Sequence, residues 1–162
     1  MKFLLLIRHA KSSWDSPTMK DFDRPLNDRG HKDAPMMAER LLQKKISIDA
    51  FVTSTAIMAS TTAEYFQKTY KAPHAHLIHV AELYHAQPIN FAKVISSLQD
   101  DWKSVAIFSH NPGITEMVNS FGVASVADMP TCAVFGVTAD VKHWKDFEAA
   151  EKRFLLFEYP KG

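Results

Sequence analysis

Residues 3–7, Phe-Leu-Leu-Leu-Ile, form an unbroken apolar run that ends directly on Arg8 and His9. A short apolar run without alternation fits a strand buried on both faces. Residues 50–53 and 105–108 repeat the pattern, and residues 76–80 give a weaker version of it. Helix-length segments separate these runs. Strands alternating with helices through residue 121 predict a mostly parallel sheet with right-handed crossovers and helices on both faces, a three-layer α/β/α sandwich.

The intervening segments carry their own punctuation. Residues 12–30 form a long connection rich in turn residues, and a loop of that length inside a domain is usually functional or disordered. Trp14 and Phe22 argue against disorder, since aromatic rings need something to pack on. Asn27 suits the N-cap of a helix running to about Lys45, with Leu26, Met37, Leu41 and Leu42 on its apolar side. Pro35 predicts a kink or restart within it. Ser54 is placed to cap a helix over 56–70, which Pro73 closes. Pro88 opens another helix ending near Asp101, and a further one spans 114–121. Two β-rich segments, 132–138 and 154–159, finish a single domain covering residues 1–162 without repeats or a linker.

Composition narrows the function classes. Nineteen Lys and Arg against eighteen Asp and Glu leave a net charge of +1, which gives no reason to expect a nucleic-acid or membrane surface. Cys132 is the sole cysteine, so no internal disulfide forms, and a lone thiol suits a reducing compartment. The N-terminal apolar run is too short for a signal peptide or a membrane span. These features predict a cytoplasmic protein.

Chemistry converges at the strand ends. Ligands of open α/β sheets bind at the carboxyl ends of the strands. His9 follows the first strand and His110 follows the strand over 105–108, so both imidazoles are expected over one pocket. Arg8 adds a planar fork of donors suited to an anion. After His110 come Asn111, Pro112 and Gly113, residues that suit a helix start and close backbone approach to a ligand. Two imidazoles, a guanidinium and a helix N-terminus describe a phosphate site.

Three segments carry a family resemblance: Arg8-His9-Ala10-Lys11-Ser12-Ser13-Trp14, Asp23-Arg24-Pro25-Leu26-Asn27-Asp28-Arg29-Gly30, and Ser109-His110-Asn111-Pro112-Gly113. Arg8-His9-Ala10 resembles the Arg-His-Gly signature of the histidine phosphatase (phosphoglycerate mutase-like) superfamily, with Ala in place of Gly. Together the segments are similar to the SixA-type phosphohistidine phosphatases. The resemblance implies a phosphoglycerate mutase-like fold and an enzyme in which His9 attacks phosphorus to form a phosphohistidine intermediate that water then hydrolyses. Arg8 and His110 would stabilise the equatorial oxygens, with Lys11, Arg24 and Asn111 as further phosphate contacts. No metal or cofactor enters this chemistry. The expected substrate is a phosphorylated histidine protein, such as a histidine-phosphotransfer domain, or a small phosphomonoester. A group must fix the tautomer of His9, and the sequence does not show which.

One position departs from the family. A second phosphate-gripping arginine is expected after the second strand, where Ser54-Thr55-Ala56-Ile57-Met58-Ala59 stands with Met58 in its place. A thioether offers no donor, and loss of one oxyanion donor costs about 3 kcal/mol. Either Arg24 or Lys11 compensates, or the protein is an impaired phosphatase that binds phosphate or phosphoprotein. Glu82, after the third strand, is the candidate proton donor to a leaving oxygen. His74 and His76 at i, i+2 on a strand, with His79 and His85, raise a metal site, but no carboxylate or cysteine pattern joins them. His31 and His143 read as surface residues.

Overall fold

Strand β1, Lys2–Arg8, is one of the two central strands around which the sheet is built. The structure is a computed structural model and describes residues 1–14 and 18–161. It contains β1, α1 (Asp28–Gln43), β2 (Ala50–Thr53), α2 (Ile57–Thr69), β3 (Leu77–His79), α3 (Pro88–Ser96), β4 (Ser104–Ser109), α4 (Gly113–Ser120), β5 (Val134–Ala139) and β6 (Arg153–Glu158). The sheet order is β3-β2-β4-β1-β5-β6. The first four are mutually parallel, and β5 runs antiparallel to both β1 and β6.

Alternate residues of each strand feed two separate cores, as the pleat requires. Leu5, Ile7, Phe51, Ala106 and Phe108 pack under α1 and α2 with Met37, Leu41 and Phe66. Leu4, Leu6, Val52, Val105 and Ile107 pack under α3 and α4 with Phe91, Ile95, Ile114 and Val118. The three-layer sandwich follows from that division. Each fully buried leucine or phenylalanine contributes about 1.5–3 kcal/mol.

The register then positions the chemistry. In the parallel β1–β4 ladder Arg8 lies opposite Ser109, so the next residues, His9 and His110, leave the sheet side by side. The backbone of His9 donates to the Ser109 carbonyl at 3.1 Å and extends that pairing past the strand end.

Local expectations meet several corrections. The helix runs through Pro35 without restarting, because the Asn27 cap on the Gly30 N–H and the buried stripe of Ala34, Met37, Ala38 and Leu41 outweigh the roughly 3 kcal/mol that an interior proline costs. Leu42 is off that stripe and exposed. Helix α3 stops at Ser96 instead of near Asp101. His74 and His76 lie in a short 3-10 turn, not a strand, and β3 starts only at Leu77. Ser54 does not cap α2; its hydroxyl accepts from the Ala56 N–H before the helix begins.

The long connection after β1 is tied back onto itself. Ser12 bridges Leu26, Ser13 N–H donates to the Pro25 carbonyl at 2.8 Å, and Asn27 N–H donates to the Lys11 carbonyl at 3.0 Å. Gly30 is required there, since a Cβ would sit 2.2 Å from the Lys11 carbonyl oxygen. Trp14 and Phe22 pack only in part: Trp14 is 70% exposed and Phe22 36%.

Candidate active site

Residues that follow β1, β3 and β4, with Met58 of α2, line a pocket of about 240 Å³. Its walls include Arg8, His9, Lys11, Arg24, Met58, Tyr84, His85, His110 and Asn111.

His9 is buried, and its Nδ1 lies 2.8 Å from the carbonyl oxygen of Ala10. A carbonyl only accepts, so Nδ1 carries the proton and Nε2 the lone pair. Burial, together with the charges of Arg8 and Arg24 and against the Ala10 bond, pulls its pKa down to about 4. The ring is therefore neutral at ordinary pH and its Nε2 is nucleophilic. Ala10 is fixed in turn: its N–H donates to Thr62 Oγ1 at 3.0 Å, and the Thr62 hydroxyl donates to the Met58 carbonyl at 2.7 Å.

His110 stands with its ring centroid 5.1 Å from that of His9. Its Nε2 shares a 2.8 Å hydrogen bond with Ser54 Oγ. Burial and the neighbouring His9 bring its pKa to about 3, so this ring is neutral as well.

Two guanidinium groups supply the positive charge. Arg8 donates from Nη1 to the Met129 carbonyl at 2.7 Å and approaches Asp128 at 4.0 Å. Its Nε is buried and, among the described residues, has no hydrogen-bond partner; burial lowers its pKa against the pull of Asp128. Arg24 is buried and lies over the Trp14 ring, 3.2 Å from the centroid. It donates from Nε to the Ser13 carbonyl at 3.1 Å, from Nη1 to Asp21 at 2.8 Å, and from Nη2 to Ser12 Oγ. Each terminal nitrogen retains a second N–H for an anion. Lys11 lines the pocket and is exposed.

Two expected site residues are placed differently from the rest. Asn111 lines the pocket, but its amide donates to Asp128 at 2.7 Å and its oxygen accepts from Thr115 at 2.6 Å, so it braces the loop beneath Arg8. Glu82 is not brought in. It is exposed and lines a separate hollow with Ile78, Lys93 and Trp102.

The structure adds Asp21 and Tyr84 to the site. The Tyr84 hydroxyl donates to Asp21 at 2.8 Å, and its ring meets that of His110 edge-on at 5.3 Å. Burial and Asp21 push Tyr84 up to about 12. Burial alone would raise Asp21, yet the hydrogen bonds from Tyr84 and Arg24 hold it below the usual carboxylate range. Asp21 thus works as an anionic clamp for Arg24. The only sequence signal for Tyr84 is its place just after a strand end; none singled out Asp21. Among the described residues no group of three or more His, Cys, Asp or Glu is placed to hold a metal ion, and His74, His76 and His79 do not converge.

Residues 4–103, more than half of the chain, match the model of the histidine phosphatase superfamily (branch 1). The chain belongs to the histidine phosphatase superfamily. Uncharacterized proteins of Arabidopsis thaliana (chloroplastic) and Mycobacterium leprae are 24% and 25% identical to it, over 88% and 96% of this chain and 69% and 100% of theirs. Among solved structures, the putative phosphohistidine phosphatase SixA of Agrobacterium tumefaciens superposes with a TM-score of 0.81 at 22% identity, covering 98% of this chain and 99% of that one. A protein histidine phosphatase SixA complexed with tungstate gives 0.83 at 22% identity, covering 98% and 97%. A mycobacterial glucosyl-3-phosphoglycerate phosphatase gives 0.71 at 13%, covering 96% and 98%. The histidine phosphatase fold, in its SixA-like form, is therefore that of this chain, and the family supports a phosphatase.

Proposed function

We propose that this protein hydrolyses phosphohistidine on a protein, with His9 as the nucleophile. The observation that carries the reading is the Nδ1–H of His9 bonded to the Ala10 carbonyl, which leaves Nε2 as the attacking atom beside two guanidinium groups. Nε2 displaces the substrate imidazole in line at phosphorus, and the phosphoryl group passes to His9. Arg8, Arg24 and His110 stabilise charge on the equatorial oxygens, where phosphoryl-transfer catalysis mainly operates. Water then attacks the phosphohistidine and releases phosphate. The solved neighbours named as histidine phosphatases favour this substrate class. The pocket is small, about 240 Å³, and Trp14 in its lining is 70% exposed, which suits a group presented by another protein better than a small metabolite, which usually needs enclosure.

Met58, buried in the pocket wall, favours a second reading, a weakened site that binds phosphoprotein without turning it over. Arg24 weighs against it, because its guanidinium is in the pocket and already oriented by Asp21 and Trp14. The deciding assay offers p-nitrophenyl phosphate and a phosphorylated histidine-phosphotransfer protein to wild type and His9→Ala. Turnover of the phosphoprotein that disappears with His9 supports the reading. Binding without turnover in the wild type moves the assignment to the phosphoprotein binder.

A further inference from the structure

An alkoxide leaves phosphorus readily only when a neighbouring group hands its oxygen a proton. Around this pocket most candidate donors are engaged. Asp21 accepts hydrogen bonds from Tyr84 and Arg24 and stays an anion, and the Tyr84 hydroxyl is committed to Asp21. His110 is tied to Ser54 and neutral, and His9 is the nucleophile. Glu82 lies in a different hollow.

His85 is placed otherwise. Its exposed imidazole lines the phosphoryl pocket and also an adjoining hollow of about 190 Å³ walled by Gln87, Pro112 and Glu116. Its backbone has φ of 57°, the left-handed region that residues with a side chain enter at a cost and that clusters at functional sites. Its ring lies against Tyr84, tilted by 39° with centroids 4.0 Å apart, and Tyr84 in turn abuts His110. An imidazole is thereby seated at the junction of the phosphoryl pocket and a neighbouring space that shares His110 and Asn111 with it.

We infer that His85 is the proton donor to the leaving group, which occupies the adjoining hollow, and that the site therefore also hydrolyses alkyl phosphate esters. The inference rests on the phosphatase reading. As the bond between phosphorus and the ester oxygen breaks and Nε2 of His9 bonds phosphorus, the His85 imidazolium gives its proton to the departing alkoxide, which leaves as the alcohol. Neutral His85 then takes a proton from the water that attacks the phosphohistidine. The His9–phosphorus bond breaks, phosphate departs and His85 is again protonated.

The test compares wild type, His85→Gln and Glu82→Gln on two esters, p-nitrophenyl phosphate and a phosphoserine peptide. The nitrophenolate leaves without help, whereas the serine alkoxide needs a proton. In kcat/KM, which reports the transfer to His9 and not the later hydrolysis shared by both esters, His85→Gln should lose about a hundredfold or more on phosphoserine and no more than about threefold on p-nitrophenyl phosphate, and Glu82→Gln should alter neither. Equal losses in kcat/KM on both esters, no loss in kcat/KM on either, a phosphoserine-selective loss in Glu82→Gln, or a wild type that turns over p-nitrophenyl phosphate but no phosphoserine would each overturn the role of His85. A wild type inactive on both esters and on the phosphohistidine protein would instead overturn the phosphatase reading, and the inference with it.

Discussion

The Nδ1 of His9 donates to the carbonyl of Ala10, the next residue in the chain, at 2.8 Å. The proton that fixes the nucleophile's tautomer is thus held by backbone, and the side chain that controls it is one step removed. Thr62 accepts from the Ala10 N–H and donates to the Met58 carbonyl. Thr62→Val keeps the shape and removes both bonds, leaving a buried N–H without a partner. Thermal or urea melts should show a loss of about 1–3 kcal/mol. The rate should fall by up to about a hundredfold, since small displacements of reacting groups are costly.

Arg24 and Met58 form a second testable pair. Arg24→Met should reduce kcat/KM by about 10²–10³, the usual cost of removing one donor to developing oxyanion charge. Met58→Arg should raise it by no more than a few-fold, because Arg24 already holds a guanidinium in the pocket. A large gain in Met58→Arg with little loss in Arg24→Met would reverse the assignment. Steady-state kinetics on p-nitrophenyl phosphate measures both.

How much of this could be read from the residues alone depended on what kind of contact was needed. Arg8, His9 and His110 were legible because unbroken apolar runs mark buried parallel strands, and adjacent parallel strands deliver their next residues to one edge. The two cores were legible for the same reason. Asp21 and Tyr84 were not, since their hydrogen bond joins positions 63 residues apart through loop packing that no periodicity encodes. Glu82 followed the strand-end rule too, yet the short turn at Ala81–Leu83 sends Leu83 into the core and leaves Glu82 facing another hollow. Pro35 misled because local propensity was outweighed by the buried stripe beside it.

Acid should unfold the protein through its active-site imidazoles. The folded pKa values of His9 and His110, about 4 and about 3, lie below the ordinary value of 6.5. The unfolded chain therefore binds protons that the folded chain refuses, and stability falls as pH drops. The contribution is complete above about 6.5 and is lost progressively down through 4 and 3. At roughly 1.4 kcal/mol per pKa unit, a few kcal/mol should disappear. Urea melts at pH 7 and pH 4.5 read this above the main carboxylate range, and His110→Asn should flatten the slope.

Gly113 ties the start of α4 to the loop that carries His85. A Cβ there would stand 1.8 Å from the Ala86 carbonyl oxygen, so backbone must move. Gly113→Ala should cost about 1–3 kcal/mol or more. It should also lower activity, because the displaced segment adjoins His85 and His110. Circular-dichroism melts and p-nitrophenyl phosphate turnover check the two effects together.

The most direct measurement is the site of the covalent intermediate. Wild-type protein is mixed with a phosphorylated histidine-phosphotransfer protein, quenched under conditions that preserve phosphohistidine, and mapped by peptide mass spectrometry. The account predicts a single phosphoryl group on His9, absent in His9→Asn, which also loses turnover. Phosphate on another residue, or full turnover by His9→Asn, would contradict it.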